Sequence, residues 1–189
     1  VDDARKIIAN PDIDIVVELI GGYGIAKQLV LEAIESGKHV VTANKALLAV
    51  HGTEIFAAAH KKGVMVAFEA AVAGGIPIIK ALREGLTANR IQWLAGIING
   101  TTNFILSEMR DKGLTFGDVL KQAQALGYAE ADPTFDIEGV DAAHKATLMS
   151  AIAFGVPVQF DKAYVEGITK LESQDIKYAE QLGYRIKLL

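Results

Sequence analysis

A chain of 189 residues, 51% of them hydrophobic, can bury a real core as one large domain or two small ones. Its net charge of −4 is spread without long like-charge blocks, which excludes the electrostatic footprint of a nucleic-acid or anionic-membrane binder and leaves a small molecule as the expected partner. The absence of cysteine excludes disulfides, thiolate metal sites and thiol nucleophiles together; with no apolar run near the roughly 18 residues of a membrane span and no opening signal peptide, a cytoplasmic location is expected.

Ala4, Ile7 and Ile8 form a helical stripe that stops at Asn10-Pro11. The chain thus opens mid-pattern, and at its end YRIKLL, residues 184–189, reads as a strand with nothing after it to pair with. Both ends predict a piece of a longer polypeptide. IDIVVELI at 13–20 is a β-branched run closed by Gly21-Gly22, and Ile25–Glu35 carries a helical stripe. HVVTAN at 39–44 reads as a second strand, a helix is expected from about Ala46 to Lys62, and VMVAFEA at 64–70 reads as a third strand. Strands buried on both faces and separated by helices predict a parallel α/β sheet with right-handed crossovers.

Beyond Glu69 the rhythm changes. A small-residue loop, AAVAGGIP, leads to a short helix at Ile78–Leu86 and a long strand at 91–100. Helices are expected at Thr101–Lys112, after the capping pair Thr115/Asp118, at Val140–Phe154 and near Ser173–Leu182. The reading is an α/β part over residues 1–70 and an α+β part over 71–189.

Ligands of open parallel sheets lie beyond the carboxyl ends of the strands. Gly21-Gly22 would let a ligand approach a helix N-terminus, although a plain tight turn is the competing explanation. Thr42 and Lys45 follow the second strand, where Lys45 is either a cation for a cofactor or substrate carboxylate or a solvated first-turn lysine. Glu69 followed by small residues has the ingredients of an oxygen-ligated cation site; chemistry alone favours a hinge. No GxGxxG phosphate loop occurs in the chain. In LGYAEADPTFDIEGVDAAHK, residues 126–145, Asp141 and Lys145 are i,i+4 neighbours on a largely apolar helix, where an ion pair carries a desolvation cost that an exposed pair avoids. His144 on the same helix reads as structural, and Asp132, Asp136 and Glu138 as loop or capping residues.

Taken together, ELIGG at 18–22, TANKALLA at 42–49, EAAVAGGIPII at 69–79, GIINGTTNFIL at 96–106 and LGYAEADPTFDIEGVDAAHK at 126–145 resemble homoserine dehydrogenase. The resemblance implies a partial Rossmann-like parallel sheet followed by an α+β substrate-binding and dimerisation domain. It also implies NAD(P)-dependent interconversion of L-homoserine and L-aspartate 4-semialdehyde, on the route to threonine, methionine and isoleucine. Lys145 would be the acid/base, and Glu130 and Asp141 would bind the substrate. Gly21, Thr42, Lys45 and Gly127 would face NADP or NAD. The Glu69 side chain with the carbonyls of Val72, Gly74 and Ile76 would hold a monovalent cation, normally sodium. The expected assembly is a homodimer or a dimer of dimers. The first βαβ unit of that family is missing here, and the alternative is a catalytically inactive dimerisation or substrate-domain module of a longer enzyme. Acylating aldehyde dehydrogenases need a cysteine thiolate, which this chain lacks; a mutase, lyase or sugar dehydrogenase on the same half-fold stays open as a rival.

Overall fold

The computed structural model describes residues 2–189. They form two compact units, one gathering the chain up to Gln92 with His144–Lys162, the other Trp93–Ala143 with Ala163–Leu189.

In the first unit, helix α1 (Ala4–Ala9), capped by the Asp3 carboxylate, precedes strand β1 (Ile15–Glu18), helix α2 (Ile25–Glu35), strand β2 (His39–Thr42), helix α3 (Lys45–Lys62) and the two-residue strand β3 (Val66–Ala67). The strands pair in parallel in the order β1-β2-β3, with Glu18 opposite Thr42 and Val41 opposite both Val17 and Ala67. Consecutive strands joined by right-handed crossovers put their helices on one face of the sheet. Accordingly α2 and α3 pack on each other, burying Leu29, Val30 and Ile34 with Leu47, Leu48 and Ile55, above Val40 and Val66. The other face is bare: Val17 is 60% exposed, and Ile15, Val41 and Met65 are exposed as well. The expectation of strands buried on both faces is therefore corrected, because two crossovers in one direction supply helices for one face only.

After β3 a 3-10 turn at Glu69–Ala71 and the loop 72–77 lead to the short helix α4 (Ile78–Lys80), which widens into a π-helical turn over Ala81–Gly85.

The second unit is built on helices α5 (Gly100–Lys112), α6 (Phe116–Ala125), α7 (Thr134–Ile137) and α9 (Ser173–Gln181). Helix α8 (Val140–Phe154) starts in this unit and runs on into the first. Ile105, Leu106 and Met109 of α5 meet Val119 and Ala123 of α6 and Ile176 of α9 in one apolar core. Thr115 caps α6, accepting from the Asp118 N–H at 3.3 Å while its hydroxyl donates to the Asp118 carboxylate at 2.7 Å, as the Thr-x-x-Asp spacing predicts.

The strands expected at 91–100 and 184–189 form no ladder among the described residues, and Gly100 already opens α5. Alternating apolar residues favour an extended backbone, whereas a strand also needs a neighbour. At the second segment a side chain takes that part: the Asn103 amide donates to the Leu188 carbonyl at 2.8 Å and accepts from its N–H at 3.2 Å. Two glycines admit the closest backbone approach in this unit. A Cβ on Gly167 would lie 2.3 Å from the Ile137 carbonyl oxygen, and one on Gly139, at φ 80°, would lie 2.8 Å from that of Glu166.

Candidate active site

At the carboxyl end of the sheet, strand register does the assembling. Glu18 and Thr42 are paired across β1 and β2, and both are buried, at 4% and 1% exposure. A buried carboxylate must find donors. Glu18 accepts from the Ile20 N–H at 2.7 Å and the Gly21 N–H at 3.3 Å through one oxygen, and from the Thr42 hydroxyl at 2.6 Å through the other. Thr42 in turn accepts from the Asn44 N–H at 2.9 Å. The Asn44 side chain donates to the Gly22 carbonyl at 2.6 Å and caps α3 by accepting from the Leu47 N–H at 3.1 Å. The loop after β1 is thereby fastened to the loop after β2, with Lys45 as the first residue of α3.

Gly21 and Gly22 sit at φ 81° and 64°, a left-handed pair that side-chain-bearing residues rarely adopt. No heavy atom lies within 4 Å of a Cβ built on either, so conformation and not crowding demands glycine here. The Thr42 hydroxyl is engaged within this network, donating to Glu18 and accepting from Asn44.

The Glu69 carboxylate is placed by the start of α4, accepting from the N–H groups of Ile79 and Lys80, each at 2.9 Å. The loop between bends through Ala73 at φ 58° and Gly74 at φ 56°. Ala73 is the one non-glycine residue with positive φ among the described residues, a conformation that costs roughly 1–3 kcal/mol and gathers at functional segments. Each Glu69 carboxylate oxygen thus meets one backbone N–H, and the Ile76 carbonyl accepts from the Ile78 N–H at 2.8 Å.

In the second unit the first turn of α5 organises its surroundings. Thr101 donates to the Tyr128 carbonyl at 2.7 Å, pinning the loop that carries Glu130. Glu130 is exposed in that loop, and its carbonyl accepts from the Gln124 amide at 3.1 Å. Gly127, at φ 76°, ends α6 in the left-handed conformation, with Tyr128 N–H reaching back to the Ala123 carbonyl at 2.8 Å. A cleft of about 390 Å³ opens beside it, lined by Gly100, Thr101, Phe104 and Tyr128. Asp141, 5% exposed in the first turn of α8, accepts from the Asn99 amide at 2.9 Å, and the same nitrogen donates to Asp136 at 2.7 Å.

Lys145 follows Asp141 by four residues on α8 and is partly buried. His144 is 2% exposed with its ring against Phe160 at 4.4 Å, edge to face, in keeping with a structural role. Asp132 accepts from the Thr134 hydroxyl at 2.6 Å and N–H at 3.1 Å in a turn ahead of α7, whose N-cap position is Pro133. The hydroxyl foremost, then the N–H, holds its carboxyl below the usual carboxylate value.

Three residues of this architecture had no role from sequence: Glu18, Asn44 and Asn99. Each left a trace. Glu18 is a carboxylate inside an apolar run, and the two asparagines directly precede helices.

Comparison with known proteins agrees with the two ends of this geometry. Residues 77–189 match the family model described as homoserine dehydrogenase, and residues 1–69 match the model of the homoserine dehydrogenase NAD binding domain. The chain is 74% identical over 187 residues to the homoserine dehydrogenase of Pseudomonas aeruginosa and 71% identical over 189 residues to that of Neisseria gonorrhoeae. These alignments take in 99% and 100% of this chain and 43% of each relative. The crystal structure of a homoserine dehydrogenase from Thiobacillus denitrificans superposes with a TM-score of 0.96 at 72% identity, covering 98% of this chain and 43% of that one. The chain thus spans less than half the length of the relatives it matches. Sequence and backbone agree along nearly all of it, and the chain belongs to the homoserine dehydrogenase family.

Proposed function

We propose that this chain carries the acid/base and substrate-binding residues of a cytoplasmic NADP- or NAD-dependent oxidoreductase that interconverts L-homoserine and L-aspartate 4-semialdehyde, residues 1–70 serving the dinucleotide and 71–189 the substrate and the dimer or dimer of dimers. The observation that carries the reading is helix α8. It presents a buried, hydrogen-bonded carboxylate, Asp141, and a partly buried lysine, Lys145, on successive turns, within the stretch matched by the family model.

The chemistry follows from charge. A bound nicotinamide supplies or accepts the hydride. Reduction of the aldehyde leaves negative charge on its oxygen; the Lys145 ammonium stabilises that charge and gives up a proton to it, and in the reverse direction the amine takes the proton from the alcohol. Asp141 and Glu130 bind the substrate's ammonium. Gly21, Thr42, Lys45 and Gly127 contact the dinucleotide. Glu69 with the carbonyls of Val72, Gly74 and Ile76 would hold a sodium ion, whose charge would stiffen the loop between β3 and α4.

Substituting Lys145→Ala in a chain of the relatives' full length is expected to lower homoserine-dependent NADP reduction by about 10²–10⁴-fold, with the thermal unfolding midpoint retained. Near-normal turnover would refute the proton-transfer role. The share of the relatives that is matched, 43%, favours a second reading in which the 189-residue chain by itself is inactive. Assaying it beside the full-length chain separates the two.

A further inference from the structure

Asn99 is 4% exposed and uses its whole side chain. Its Oδ1 accepts from the Thr102 N–H at 2.9 Å and from the Thr102 hydroxyl, capping α5. Its Nδ2 donates to Asp136 at 2.7 Å and to Asp141 at 2.9 Å. The amide cannot be turned over, since that would set its oxygen against two carboxylates and its NH₂ against an N–H. One nitrogen therefore ties three elements together: the first turn of α5, α7 through Asp136, and α8 through Asp141.

Two carboxylates within reach of one nitrogen repel each other, and with Asp141 buried that repulsion is poorly screened. An arginine or lysine at position 99 would relieve it, but would also cancel the negative charge that a substrate ammonium needs. An amide offers two donors and no net charge. It orients both carboxylates and leaves their charge in place. A carboxylate has about four acceptor positions, so one hydrogen bond from Asn99 fixes the rotation of Asp141 without using up its capacity.

We propose that Asn99 is a positioning residue for the substrate's amino group, a neutral clamp that holds Asp141 correctly turned beside Asp136. This rests on the reading of Asp141 as a substrate-binding residue.

Asn99→Asp isolates the clamp from the cap, because aspartate caps helices as well as asparagine does yet presents a third carboxylate where two donors stood. In the full-length enzyme the KM for homoserine is expected to rise roughly ten- to a hundredfold, the range of a lost hydrogen bond to a charged group, with the KM for NADP unchanged. The unfolding midpoint falls, because a third carboxylate joins two at a buried position, and KM is read at a temperature where the variant is folded. Adding Asp136→Asn to Asn99→Asp is expected to recover part of the loss, because one of three clustered charges is gone; independent effects would simply add. An unchanged homoserine KM in Asn99→Asp, alongside a raised one in Asp141→Asn, overturns the clamp and leaves the substrate site standing. An unchanged KM in both variants overturns the clamp together with the substrate role of Asp141. Should Asn99→Asp fail to fold, Asn99→Ser, which also caps, is read against the same outcomes.

Discussion

The two polar constellations of this chain are assembled by opposite routes. The one at the sheet end joins Glu18, Thr42 and Asn44, residues that parallel register makes neighbours as soon as β1 and β2 pair. The one in the second unit joins Asn99, Asp136 and Asp141 across sequence separations of 37 and 42 residues, with no strand ladder to align them. In the first, backbone N–H groups and a hydroxyl satisfy a single buried carboxylate. In the second, one amide must keep two carboxylates together. A register-built network inherits its precision from the sheet, whereas the clamp depends on how closely loops and helices are packed.

The most damaging way to break the second region alone is at Gly167. A methyl group there would meet the Ile137 carbonyl oxygen at 2.3 Å and Glu138 Cα at 2.5 Å, all backbone, so no side chain can swing aside. Gly167→Ala is expected to destabilise the protein by about 3 kcal/mol or more, read as a lower unfolding midpoint, with amide exchange accelerated at Ile168, whose N–H bonds Ile137 at 2.8 Å. Slow, unchanged exchange at Ile168 would show that the close approach is not rigid.

The matching break in the first region is Glu18→Ala. It leaves the N–H groups of Ile20 and Gly21 and the Thr42 hydroxyl without their acceptor, an expected loss of about 2 kcal/mol. Faster exchange should be confined to the loop after β1, because the ladder itself does not use the side chain. Loss of protection throughout β2 would mean that the network, and not the ladder, holds the sheet end.

The smallest effect sharpens the contrast by being purely local. Asp132 bonds only to Thr134 two residues on, and those bonds depress its folded pKa below the ordinary 3.8. A depressed carboxyl contributes stability above its unfolded pKa, and that contribution is lost as the pH falls through the lower, folded value. A carboxyl titration by NMR should therefore place the Asp132 midpoint below 3.8 in the wild-type protein and return it toward the ordinary value in Thr134→Ala. An identical midpoint in the two proteins would remove Thr134 as the cause.

Much of this was legible in the chain itself. Helix α3 ends at Gly63 and α6 begins at Thr115 as the sequence predicts, because capping is a bargain between residues a few positions apart. The parallel sheet followed from β-branched runs spaced by amphipathic helices. The blocks that carry the family likeness placed Asp141 and Lys145 on one helix, and α8 spans Val140–Phe154 as expected. What the chain could not disclose depended on partners distant in sequence. A β-prone run reads the same in sequence whether it pairs in a sheet, as at Val40 and Val41, or bonds to a helix side chain, as at Leu188. Which face of the sheet stays bare follows from crossover direction and not from any residue's hydrophobicity. Both duties of Asn99, the cap of α5 and the hold on two carboxylates, emerge only in the structure, where tertiary packing brings Asp136 and Asp141 to its amide. Local physics determined the elements and their ends, and three-dimensional neighbours decided which buried polar groups had to satisfy one another.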